Sequence, residues 1–127
     1  MLELFVAFVV KHYFADGILQ HGVPFKHQNK GKFGHIGGIW HSLDHAVLTF
    51  AILACVISPM MALWLSLFDF GCHYMIDWLK VNVCKWFDLS EIKKGTLRIK
   101  SEWYFQALMI DQLLHYLTYC MILYWIF

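Results

Sequence analysis

Residues 60–84 read MMALWLSLFDFGCHYMIDWLKVNVC. The stretch exceeds the ~20 residues that a helix needs to cross a bilayer. Its ionisable side chains are Asp69, His73, Asp77 and Lys80, set among Leu, Phe, Met, Trp and Val. His73 and Asp77 are four residues apart, so on a helix they share one face, one turn from each other. Three other apolar stretches carry the same spacing: His12/Asp16, His41/His45 and Asp111/His115. An apolar segment with one ionisable face predicts a helix that turns this face away from lipid. Four of them predict an all-α fold, a four-helix transmembrane bundle with a polar interior. Near the centre of a membrane helix an ionisable group costs at least ~2.5 kcal/mol, so such groups usually mark function.

Working outward, the helices are expected at about 2–20, 37–57, 60–84 and 102–126, a single transmembrane domain over 1–127. Gly22-Val23-Pro24 closes the first helix, and Ser58-Pro59 makes a tight hairpin between the second and third. A charged connection at 85–101 offers Ser90 as the cap of a short interfacial helix, and Ser101 as the N-cap of the fourth helix. The 127-residue chain is 60% apolar, where soluble domains run near ~45–50%. A net charge of +1 leaves no field to attract nucleic acid, so no nucleic-acid partner is expected. The four cysteines form no C-x-x-C pair and read as buried thiols. Glu3, His12 and Asp16 sit where a signal peptide would be apolar, so the N-terminus reads as the first helix.

The basic loops fall on one side of an even-numbered bundle, which the positive-inside rule makes cytoplasmic, with both termini outside. Chain direction then orders the pairs by depth. His12, His45, His73 and His115 form a deeper layer. Asp16, His41, Asp77 and Asp111 form a shallower one, ~6 Å nearer the cytoplasm at 1.5 Å per residue. His12-Tyr13-x-x-Asp16 matches His73-Tyr74-x-x-Asp77, and His41-x-x-x-His45 matches Asp111-x-x-x-His115. This suggests two pseudo-repeated helical hairpins.

Imidazole and carboxylate are ligands of Zn, Mn and Fe. His12, Asp16, His41, His45, His73, Asp77, Asp111 and His115 suffice for one or two divalent ions. Two ions ~3.5–4 Å apart suit hydrolysis of a phosphoester or similar bond. Whichever of Asp77 and Asp111 does not ligate is then the base that takes a proton from water, and Lys80 binds anionic substrate oxygens. Gln20, Gln112 and Asp69 are placed to orient ligands. Gly17 loosens the first helix locally, and Asp44 lies off the His41/His45 face, to pair with a loop lysine or, in an irregular bundle, to join the site. Lys26, Lys30 and Lys32 read as a topogenic loop, or as phosphate attraction over the site.

The expected function is an integral membrane metalloprotein with its site near the cytoplasmic face, a metal-dependent hydrolase of a lipid or other amphiphile. Non-enzymatic readings stand beside it: an ion or proton conduit, a metal-stapled module, or an interaction protein acting on a homo-oligomer or host membrane partner. A bis-His haem is a further option, although it leaves three Asp unexplained.

The ordered set His12-x-x-x-Asp16-x-x-Leu19-Gln20, a loop lysine, His41-x-x-x-His45, His73-x-x-Ile76-Asp77-x-x-Lys80 and Asp111-Gln112-x-x-His115 resembles the DUF3307 family of small bacterial and phage integral membrane proteins. Gly17 departs from the bulky residue expected after the Asp. The pattern is also distantly similar to YdjM-like membrane proteins described as metal-dependent hydrolases. The resemblance implies a bacterial or phage source. It places the chain in the bacterial inner membrane, or in a host cell membrane as a phage effector.

Overall fold

The computed structural model describes residues 1–20, 30–93 and 96–127. Lys26 and the Gly22-Val23-Pro24 close of the first helix lie outside the described residues.

The expected first helix divides into α1, Leu2–Phe14, and a π turn, Ala15–Leu19. The Gln20 N–H donates to the Ala15 carbonyl at 3.0 Å, five residues back. Gly17 sits inside this turn, where its lack of a side chain weakens the α alternative. π turns are uncommon and frequently sit at functional sites. This one carries Asp16.

Helix α2, Ile36–Ala54, begins at His35, whose Nδ1 accepts from the Gly37 N–H at 3.1 Å. Ser58-Pro59 turns the chain as expected. Pro59 opens α3, Pro59–Trp86, and the Ser58 Oγ accepts from the Met61 N–H at 3.4 Å. α2 and α3 are the most closely packed pair. A Cβ at Gly38 would come within 3.3 Å of the Tyr74 ring, so glycine lets α2 approach here.

The connection after α3 is not the short helix expected at Ser90. It is an antiparallel hairpin of β1, Ser90–Lys93, and β2, Thr96–Ile99, with Ser90 opposite Ile99 and Glu91 opposite Arg98. Thr96-Leu97-Arg98-Ile99 alternates polar and apolar, the two-residue period of a strand. The Leu89 carbonyl accepts from the Lys100 and Ser101 N–H groups at 2.8 and 3.2 Å, fastening the hairpin to the bundle. Lys100 lies 2.8 Å from Asp88 and 3.2 Å from Glu91, and these carboxylates hold its ammonium above the usual lysine value. Helix α4, Trp103–Ile126, follows; its N-cap is Glu102 and not the expected Ser101, whose Oγ accepts from the Trp103 N–H at 3.3 Å one position earlier in the chain.

The interior has three zones. At the end holding the α2–α3 turn, Phe8, Leu53, Ala62, Leu65, Tyr119, Ile122 and Leu123 form an apolar core. At the hairpin end, Cys84, Leu89 and Tyr104 form a smaller one. The histidines and aspartates lie between. Ile36–Ala54 is long and apolar enough to cross a membrane by length and composition. On every helix large apolar side chains face outward, among them Val10, Val47, Leu67 and Leu117.

Residues 30–35 lie across the cytoplasm-facing end of the sequence reading. The Asn82 Nδ2 donates to the Gly31 carbonyl at 3.0 Å, and the Gly34 N–H donates to the Tyr74 hydroxyl at 2.7 Å. Phe33 sets its edge against Tyr74 and Trp78. Gly34 has φ +75°, a left-handed conformation that costs other residues ~1–2 kcal/mol. Gly34→Val is therefore expected to lower the thermal midpoint of the purified protein. Gly71→Ala, where a Cβ meets nothing within 4 Å inside α3, is expected to hold or raise it by up to ~1 kcal/mol of stability. Thermal denaturation of both variants in one detergent checks the pair.

Candidate metal centre

All eight side chains spaced as four pairs in the sequence converge in the middle zone. The imidazoles pack ring on ring. Centroids lie 3.5 Å apart for His45–His73, 4.1 Å for His73–His115, 4.9 Å for His12–His115 and 4.8 Å for His41–His45. All five rings are buried. His45–His73 and His73–His115 are stacked, His41–His45 meet edge to face and His12–His115 are tilted.

Three groups bring their donor atoms within 4.8 Å of one another: Asp16, His41, His45 and His73; Asp77, Asp111 and His115; and His12, His73 and His115. The first is the tightest. The Asp16 Oδ1 lies 3.1 Å from both the His41 Nε2 and the His45 Nε2, and the His73 Nε2 lies 3.3 Å from the His41 Nε2. Donors on a tetrahedral Zn at ~2.0–2.1 Å stand roughly 3.3 Å apart. The spacing therefore fits such an ion. The second group is looser, with the His115 Nε2 at 3.7 Å from the Asp77 Oδ1 and 3.7 Å from the Asp111 Oδ1. That Asp111 Oδ1 is buried without a hydrogen-bond partner among the described residues. Asp77 also faces the first group, its Oδ2 at 3.5 Å from the His41 Nε2.

His12 differs from the other rings. Its Nδ1 pairs with the Tyr119 hydroxyl at 2.9 Å, and its Nε2 faces the Gln112 Oε1 at 3.1 Å and the Asp16 Oδ2 at 3.2 Å. The Gln112 Nε2 in turn donates to the Asp111 Oδ2 at 3.1 Å. Gln112 thus joins the two groups, as its place beside Asp111 suggested. Gln20 follows the π turn and is half-buried, and Asp44 is half-buried on α2.

Lysines border the site. The Lys30 Nζ sits 2.8 Å from the Asp77 Oδ2, so one of the loop cations reaches the cluster itself. Lys32 lies further along this segment and is exposed. Lys80 approaches Asp111 at 3.9 Å and keeps 23% of its side chain exposed. Asp16 is the most exposed of the eight, at 32%. It opens onto a cavity of about 570 Å³ between α1 and α4, lined by Val9, Tyr13, Gly17 and Tyr116.

Asp69 is not with the eight. Its Oδ2 accepts from the Lys11 Nζ and the Thr49 hydroxyl, both at 2.6 Å, and Lys11 also donates to Thr49 at 2.7 Å and to the His45 carbonyl at 3.3 Å. Lys11 and Asp69 expose only 2% and 1% of their side chains. The Lys11 ammonium stands 4.7 Å from the Tyr119 ring centroid. The sequence reading leaves Lys11 aside because its partner is on another helix. The available signal was a lysine in the middle of an apolar segment, which demands a counter-charge.

A helical bundle whose four long elements all send imidazole or carboxylate into one interior cluster defines the class of fold. The family described as "Protein of unknown function (DUF3307)" matches residues 4–127, and the chain belongs to it. No curated protein and no solved structure matches the chain.

Breaking a buried ion pair from one side leaves a charge uncompensated and costs ~3–5 kcal/mol, whereas replacing both partners with apolar groups is often nearly neutral. Lys11→Met alone is expected to destabilise by this amount. The double variant Lys11→Met/Asp69→Leu should recover most of the loss. Denaturant titrations of the single and double variants check it.

Proposed function

We propose that the chain is an integral membrane metalloprotein that hydrolyses a lipid or other amphiphile at a two-ion centre. The observation that carries the reading is the 3.1, 3.1 and 3.3 Å spacing of Asp16, His41, His45 and His73, combined with a second, looser donor group in which the His115 Nε2 lies 3.7 Å from each carboxylate. Asp16, His41, His45 and His73 supply four donors, the closed set of a structural site. Asp77, Asp111 and His115 supply three, the set that leaves a position for water or substrate. Bound ions of this kind lower the pKa of water towards neutrality and polarise a scissile bond.

The chain's own residues do the rest. Asp77 faces both groups, its Oδ1 towards His115 and its Oδ2 towards His41, so one oxygen would hold the second ion while the other is placed to take the proton from the attacking water. Lys30 and Lys80 bring positive charge to the side where phosphate or carboxylate oxygens of a substrate arrive. His12 holds Asp16 in orientation through the Asp16 Oδ2, while Tyr119 fixes the His12 ring. The membrane setting is supported by the apolar outer faces of all four helices and by the span-like composition of Ile36–Ala54. The side bearing Lys30, Lys80 and the hairpin is taken as cytoplasmic.

A second reading keeps the ions and drops the chemistry. The four-donor group alone would staple α2, α3 and the π turn together, in a module that acts through a membrane partner. A through-conduit is disfavoured, because the apolar core from Phe8 to Leu123 seals the far side of the cluster.

Elemental analysis of the protein purified without chelator is expected to give two equivalents of divalent transition metal per chain. Asp111→Asn should reduce this to one. A metal-free wild-type protein would end the reading. Turnover on a panel of phospholipids should fall by at least ~100-fold in Asp77→Asn, the scale of a lost general base. Two bound ions with no turnover on any panel member would favour the staple.

A further inference from the structure

A cavity of about 690 Å³ runs between α3 and α4 and is reached by none of the donors except Asp111. Its walls are apolar apart from Lys80, Asp111, Gln106 and Ser101. Binding sites for small molecules have this make-up: a mostly apolar cleft of ~300–1,000 Å³ with a few converging polar groups. The charges on its inner wall have a definite sign. Asp77 is already paired by Lys30 at 2.8 Å, and Asp111 has Lys80 at 3.9 Å. With a cation held by Asp77, Asp111 and His115, the positive charges outnumber the negative.

We infer that this cleft is the docking site for an anionic lipid. Its phosphate or carboxylate lies between Lys80 and the Asp77/Asp111/His115 group, and its chain leaves past Ile76 and Leu114. This rests on the two-ion reading for the sign of the potential, and it goes further by naming the substrate class and its route. Any head group attached to that phosphate points to the Gln106 and Ser101 end, towards the hairpin. The chain follows the opposite direction, where the lining is wholly aliphatic. A lipid so placed runs parallel to the helices with its head on the basic side. The smaller opening at Asp16 is left for water.

Trp103 lines the cleft and reports its occupancy. In vesicles, dibrominated phosphatidic acid at low mole fraction is expected to quench the Trp103-dependent fluorescence several-fold more than dibrominated phosphatidylcholine does. The Trp103→Phe protein supplies the background. Lys80→Gln should remove the preference. Ala107→Phe, which fills the cleft without touching a charge, should reduce quenching by both lipids while metal content stays at the wild-type value. That constancy separates a blocked cleft from a misfolded chain. Equal quenching by the two lipids in metal-loaded wild-type protein would overturn the inference and leave the ion sites standing. A Lys80-dependent preference in protein that elemental analysis finds metal-free would sustain the cleft and end the two-ion reading instead.

Discussion

Burial of charge beside charge is the constraint on which this bundle depends. Asp16, Asp77 and Asp111 share one interior with five imidazoles, and each carboxylate must be compensated where water is scarce. The protein does this locally in every case. Asp16 draws on three imidazoles, Asp77 on Lys30, Asp111 on Gln112 and Lys80, and Asp69 on Lys11 and Thr49. The compensation is nevertheless uneven. The Nδ1 atoms of His41, His45 and His73 and the Asp111 Oδ1 are buried with no hydrogen-bond partner among the described residues. Polar atoms left so are costly. A cation held at this point would satisfy the Asp111 Oδ1 and favour carboxylates that gather instead of dispersing; the three Nδ1 atoms lie on the other side of their rings from the Nε2 donors.

The architecture follows from this. α2 and α3 pack most closely because they contribute His41, His45, His73 and Asp77 to one point, and Gly38 removes the side chain that would keep them apart. The π turn gives Asp16 a place between His12 and the α2 imidazoles. Its two oxygens serve different neighbours, Oδ1 towards His41 and His45 and Oδ2 towards His12. The hairpin closes the α3–α4 end without adding a buried charged side chain among the described residues.

Much of this was legible because it is local. The spacing of four residues fixes a shared helix face whatever the tertiary context, so the four pairs pointed to convergence before any packing was known. The Ser58-Pro59 turn is likewise set by short-range chemistry, whereas the cap expected at Ser101 falls one residue later, at Glu102. What escaped was set at long range or by competition. Lys11 meets Asp69 across 58 positions of sequence, a pairing that no periodicity reveals. The π turn differs from an α turn by one residue of pitch, which Gly17 hints at but does not dictate. The 85–101 connection carries a strand-like alternation over only a few residues, and its charges read equally well as an interfacial helix. The roles of the eight donors stand apart from their positions: convergence says where ions would sit, and not what they would do.

The sealed floor has a consequence of its own. Beneath the histidines lie the Lys11–Asp69 pair and then the apolar core from Phe8 to Leu123. Within a bilayer, the cluster would be a blind alley, in contact with a single aqueous compartment. Whatever exchanges with it, protons, ions or small products, would come from and return to that same side. Its occupancy would track the composition of one compartment and stay indifferent to the gradient across the membrane. A site of that kind can sense or process what reaches one leaflet, but it cannot couple its chemistry to the voltage or pH difference that drives transport.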